Sequence, residues 1–107
     1  MPDIDVLSAL QDWYRRNCDG EWEHHYGIKI ETCDNPGWWI KIDLHGTDLS
    51  SASFVRVAEN VDGDGCSQSP TWLCCQVKDE VWHGACDENQ LQRVLEIFVV
   101  WMKAHNL

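Results

Sequence analysis

Residues 26–44 read Tyr-Gly-Ile-Lys-Ile-Glu-Thr-Cys-Asp-Asn-Pro-Gly-Trp-Trp-Ile-Lys-Ile-Asp-Leu. Tyr26, Ile28, Ile30 and Thr32 alternate with Gly27, Lys29, Glu31 and Cys33. Beyond the turn formers Asp34-Asn35-Pro36-Gly37, the residues Trp38, Ile40, Ile42 and Leu44 alternate with Trp39, Lys41, Asp43 and His45. A period of two on both arms predicts a β-hairpin. For both apolar sets to share one face, facing residue numbers must sum to an even value. A three-residue loop over 35–37 satisfies this and sets Ile30 opposite Ile42 and Ile28 opposite Leu44. On the other face it sets Glu31 against Lys41 and Lys29 against Asp43, two favourable charge pairs. A five-residue loop keeps the parity but sets Lys29 against Lys41. Pro36 weighs against the shorter loop, because it disfavours the helical conformation at Asn35 that the commonest three-residue turn uses. The charge pairs make the shorter loop the expected one.

Working outward, residues 5–16 precede the hairpin as a helix, with Leu7, Leu10, Trp13 and Tyr14 spaced as one buried face. Asp3 or Asp5 can cap its start, Arg15 and Arg16 suit its negative end, and Gly20 closes the element. Shorter strands are expected near 53–58, over 72–78 and near 81–84, and residues 60–71, rich in Asp, Gly, Ser and Pro, read as a loop. A last helix begins after Asp87, whose side chain can pair with Gln90 as in a capping box; Leu91, Val94, Leu95, Phe98, Trp101 and Met102 form its apolar stripe. The order helix, about five antiparallel strands, helix predicts an α+β fold in a single domain over residues 1–107.

The 107 residues suffice for one core without disulfide or metal, and a 44% hydrophobic content with seven tryptophans excludes disorder. Eighteen acids against eight bases give a net charge of -10, which repels phosphate backbones and anionic membranes and favours a basic partner. Plain solubility is the alternative use of that charge. No signal peptide is visible at the N-terminus, and residues 97–102, the longest strongly apolar run, are far too short to span a membrane. Three of the six cysteines fall inside expected strands, so reduced thiols in a cytoplasm are the expected state.

Cys18-Asp19-Gly20-Glu21-Trp22-Glu23-His24-His25 is the densest polar stretch, and it and the remaining polar groups offer several chemistries. Zinc is disfavoured: there is no Cys-x-x-Cys, and the neighbours Cys74-Cys75 point to opposite faces of a strand, an objection that His24-His25 share if that strand starts early. Calcium at Asp62-Gly63-Asp64-Gly65 fails because the twelfth loop position is Leu73. No metal or other cofactor is expected. Glu21 and Glu23 could act as an acid–base pair, but no substrate-reading group accompanies them, and a solvated acidic face explains them as well. The enzyme alternative is a thiol-dependent one such as a sulfurtransferase. Cys18 follows two arginines but sits at a helix C-terminus, where the dipole opposes a thiolate. Trp13, Trp38 and Trp101 fit apolar stripes, whereas Trp22 and Trp39 fall on polar faces and suit partner contact.

Trp13-Tyr14, Cys18-Asp19-Gly20-Glu21-Trp22-Glu23-His24, Tyr26-Gly27 and Asp34-Asn35-Pro36-Gly37-Trp38 together resemble the immunity protein 53 family of bacterial polymorphic toxin systems. Cys86, Leu91, Phe98 and Trp101 are compatible with its C-terminal helix, while Cys33 and residues 62–71 depart from the pattern. The resemblance implies a cytoplasmic antidote that binds and blocks a cognate toxin domain, without catalysis. The resemblance further implies that the toxin can be a nuclease, a class that tends to be basic, and an acidic inhibitor can occupy the nucleic-acid footprint. The expected contact set is Asp19, Glu21, Trp22, Glu23 and His24, with Asp34 and Trp39 as weaker members. The alternative role for the same residues is structural: Asp19 and Asp34 capping turns, Trp22 covering the sheet edge.

Overall fold

The computed structural model describes residues 5–34, 36–61 and 70–105. Helix α1 (Val6–Asn17) leads through a single helical turn, α2 (Trp22–His25), into strand β1 (Ile28–Cys33) and strand β2 (Gly37–Asp43). Strands β3 (Val57–Glu59), β4 (Leu73–Lys78) and β5 (Val81–Cys86) follow, and helix α3 (Leu91–His105) ends the fold. The strands form one antiparallel sheet in the order β1-β2-β5-β4-β3, so the expected α+β architecture is the one observed.

The hairpin register differs from the expected one. Ile28 faces Ile42, Ile30 faces Ile40, and Lys29 faces Lys41. The cause lies outside the hairpin. Gly37 is the first residue of β2 rather than a loop residue, and a β-carbon on it would stand 2.4 Å from the carbonyl oxygen of Cys86. Close backbone approach to β5 thus draws Gly37 into the sheet opposite Cys33, and the register follows. The like-charge contact is tolerable because Lys29 is solvated and the Lys41 ammonium lies over the Trp39 ring, 4.8 Å from its centroid. Asn35, the middle of the turn, lies outside the described residues.

Asp5 caps α1, its side chain accepting a hydrogen bond from the Ser8 backbone N–H at 3.1 Å. The buried stripe of α1 is Val6, Leu10 and Trp13. Leu7 and Tyr14, expected on that face, are 62% and 38% exposed, because the helix is rotated about one position toward Val6. The strand expected over 53–58 is confined to its C-terminal end. Phe54 leaves the sheet plane and packs edge-to-face on Trp82 and Trp101, and Trp101 Nε1–H donates to the Ser53 carbonyl at 2.8 Å.

α3 starts as expected at Asp87. Its buried carboxylate accepts from the backbone N–H groups of Trp72 and Asn89, each at 2.8 Å, and from Gln90 Nε2 at 2.9 Å. Val94, Leu95, Phe98, Val99 and Met102 of α3 join Ile40, Ile42, Leu73, Trp82 and Trp13 in one contiguous core on the helix-covered face of the sheet. The opposite face carries Lys29, Glu31, Trp39, Lys41, Gln76, Lys78 and His83, and no described element packs over it. Among the described residues β1 and β3 are its edge strands.

Candidate functional site

The polar stretch ahead of β1 folds on itself. Gly20, at φ +98, reverses the chain after α1. Asp19 Oδ1 then accepts from the backbone N–H groups of Glu21 and Trp22, both at 2.9 Å, while the Glu23 carboxylate accepts from those of Asp19 and Gly20, also at 2.9 Å. Each acid satisfies the amides that the other leaves open, which is the logic of a capping box spread over five residues. Both carboxyls are held below the ordinary carboxylate range. For Asp19 the main cause is the Trp22 amide, then that of Glu21. For Glu23 it is its own amide, with those of Asp19 and Gly20 adding against the cost of desolvation.

Trp22 is a core residue, only 6% exposed, which corrects its expected place on a polar face. A one-turn helix aims it inward, where an extended strand would have set it among the acids. It packs edge-to-face on Trp13 and Tyr14, with centroids 6.0 and 5.9 Å away, and its N–H donates to the His45 carbonyl at 2.8 Å. Buried in this way, the indole presents no face for a partner to cover.

The contact with His45 draws in a third segment. His45 stacks on Tyr26 at 5.1 Å, and its imidazole pairs with the carboxylate of Glu80 in the β4–β5 turn. The Leu44 N–H donates to the Glu80 carbonyl at 2.9 Å, and Gly27 N–H donates to Asp43 Oδ2 at 2.9 Å. Asp19, Glu21, Glu23, Asp43, Asp79 and Glu80 therefore converge on one end of the sheet, among His24, His25, His45 and Lys78. The sequence reading missed Asp79, Glu80 and His45. The two-residue turn after β4 was the available signal, but only strand order places it beside β1 and β2.

The remaining expected contacts lie elsewhere. Asp34 is exposed at the opposite end of β1, about 20 Å along the strand. Trp39, 43% exposed, stands on the uncovered sheet face beside a depression of about 400 Å³ that Trp72, Cys74, Gln76 and His83 help to line. That face is not acidic: it carries Lys29, Lys41 and Lys78, three of the chain's four lysines. His83 is pushed below the ordinary histidine range, first by burial and then by Lys41 and Lys78.

Two thiols sit in environments that oppose a nucleophile. Burial pushes Cys75 up to about 12 and Cys86 up to about 11. Cys18 donates its thiol hydrogen to the Tyr14 carbonyl at 3.3 Å, at the C-terminus of α1. Among the described residues no three His, Cys, Asp or Glu side chains form a group able to hold a metal, and Asp62 and Asp64 lie outside them. Among the described residues no helix is long and apolar enough to cross a membrane.

The family model for immunity protein 53 matches residues 7–103, from the first turn of α1 to the last turn of α3. The chain belongs to the immunity protein 53 family. No curated protein and no solved structure matches it. For an immunity protein the cognate partner is a toxin, so surface contact rather than a reactive pocket is the chemistry to look for.

Proposed function

We propose that this immunity protein neutralises its toxin in the cytoplasm by non-catalytic binding through the acidic end of the sheet. The observation that carries this reading is the convergence of the Asp19–Glu23 turn, Asp43 and the Asp79-Glu80 turn on one end. The Trp22, Tyr26 and His45 packing holds them in a fixed array. A preorganised set of carboxylates suits a basic toxin domain such as a nuclease, because the array needs no ordering on contact and its field speeds encounter. Trp39 and Asp34, at the far end, form a separate weaker patch in this reading.

The test uses the toxin domain encoded by the neighbouring gene. Reversing the charge of Glu21 and Asp79 together, as Glu21→Lys and Asp79→Lys, should weaken binding at least tenfold, cut the on-rate most and flatten the salt dependence. Trp39→Ala should change affinity less. Unchanged affinity in the double reversal, with full loss in Trp39→Ala, would move the toxin to the open sheet face.

A further inference from the structure

Among the described residues nothing pairs with the outer edge of β1, and the side chains of that strand complement themselves. The Asp43 N–H donates to the Gly27 carbonyl at 3.0 Å, so Gly27 turns its backbone toward β2. By strand alternation Lys29, Glu31 and Cys33 do the same, and Ile28, Ile30 and Thr32 point their N–H and C=O groups outward along the unpaired edge. An exposed six-residue edge of this kind is a template for another strand, and proteins usually blunt it with proline, a bulge or a covering loop. β1 contains no proline and its register with β2 has no bulge; the charges that also blunt edges are present as Lys29 and Glu31, but they are opposite in sign and so complementary to a second copy.

The surface beside that edge is apolar. Leu7, Leu10, Gln11, Tyr14, Gly27 and Ile28 line a groove of about 430 Å³ between α1 and β1. Leu7, Tyr14 and Ile30 remain 62%, 38% and 40% exposed around it. Helical periodicity puts Leu7 and Tyr14 on an apolar face wider than this chain alone covers. Large apolar side chains clustered at an open backbone edge mark an interaction surface rather than scattered surface hydrophobics.

The charges on the strand select the occupant. Laid antiparallel on a second copy about a two-fold axis at Ile30, the strand sets Lys29 against Glu31 of that copy, and Glu31 against its Lys29. Ile30 then meets Ile30, and Ile28 meets Thr32. This register overlaps the strand from end to end and places every outward-facing residue opposite another, allowing about six inter-chain hydrogen bonds. Shifting it by two in either sense pairs Lys29 with Lys29 or Glu31 with Glu31. Within the chain Lys29 faces Lys41, and among the described residues neither Lys29 nor Glu31 forms an ion pair. We infer that two copies of this chain join through β1 into a continuous ten-stranded sheet, with Lys29 and Glu31 setting the register.

The inference does not depend on the acidic end being the toxin site, since the two surfaces are distinct and can fail separately. A net charge of -10 on each copy opposes association, so the dimer should strengthen with salt. Sedimentation equilibrium from roughly 0.01 M to about 0.15 M salt, over which the Debye length falls from about 30 to about 8 Å, should move the chain toward twice its mass. Amide exchange at Ile28, Ile30 and Thr32 should slow as protein concentration rises. Lys29→Glu should weaken the dimer about tenfold or more, and Lys29→Glu with Glu31→Lys should restore it, because the swap keeps the strand self-complementary. The single variant relieves the Lys29–Lys41 contact, so loss of the dimer cannot be assigned to unfolding. A monomer at every concentration and salt, or a dimer indifferent to the charge swap, overturns the inference. So does protection of the three edge amides by toxin alone.

Discussion

A β-carbon at Gly84 would stand 2.6 Å from Cγ1 of Val94, closer than real side-chain contacts come. Gly84 lies in β5, the central strand, and Val94 on the first full turn of α3. The missing side chain sets how closely α3 approaches the sheet, and the ring of Trp82 fills the space on its other side. Gly84→Ala should therefore cost about 1–3 kcal/mol as an overpacked contact. For a domain of this size that lowers the melting temperature by roughly 4–8 °C per kcal/mol. Pairing it with Val94→Ala should recover part of the loss, as coupled neighbours do. A melting temperature within a degree of wild type for the single variant would show that α3 can slide outward freely.

Asp87 supplies the pH dependence. It is 2% exposed. Burial pushes its carboxyl up, but the Asn89, Trp72 and Gln90 hydrogen bonds together outweigh that and hold it below the ordinary range. A carboxyl whose folded pKa is depressed stabilises the fold above its unfolded pKa, about 3.9, and loses that contribution as pH falls through the folded value. Asp87→Asn should thus cost about 1–3 kcal/mol at neutral pH. The gap between wild type and variant should close between about pH 4 and the acid limit. Urea unfolding at neutral pH and near pH 3 measures both. A gap of equal size at the two pH values would mean the carboxylate charge contributes nothing.

Glu21 and Glu23 look interchangeable in the sequence and are not. The Glu23 carboxylate holds the Asp19 and Gly20 amides, whereas no hydrogen bond or ion pair of the Glu21 side chain is present among the described residues. Glu23→Ala should speed amide exchange at Asp19 and Gly20 and loosen the whole turn. Glu21→Ala should leave those amides as protected as in wild type while still weakening toxin binding. Equal exchange in the two variants would remove the structural role assigned to Glu23.

These contrasts mark how far the residues alone could be read. The hairpin, both helices, the Asp87 cap and the α+β order follow from periods of two and 3.6 and from capping chemistry, all local properties. The register did not follow, because parity allowed two pairings and the deciding contact, Gly37 against Cys86, joins residues far apart in sequence. Trp22 was misplaced for a related reason. Its neighbours Glu21 and Glu23 suggest a polar surface, and only a four-residue helix turns the indole inward. The acidic end was half legible: Asp19 to His24 stand out in the sequence, but Asp79 and Glu80 join them through sheet order.

Glu80 itself gives the sharpest test of why that end is acidic. The β4–β5 connection is a two-residue turn with Asp79 at φ +55 and Glu80 at φ +62. Turns with both central residues at positive φ favour Asp-Gly or Asn-Gly, so Asp79 fits its position and Glu80 is strained. Glu80→Gly relieves that strain, worth about 1–2 kcal/mol, and gives back about 0.5–1 kcal/mol through the freer unfolded chain. It also removes the exposed ion pair with His45, a contact of about 0–1 kcal/mol. The balance is stabilising or neutral. If the carboxylate is retained for the toxin, the same variant should bind it more weakly while melting no lower, the trade expected where a site keeps a locally unfavourable residue. Thermal melts and toxin titrations on one preparation decide it. A variant that melts higher and binds as tightly as wild type would leave Glu80 without a role in recognition.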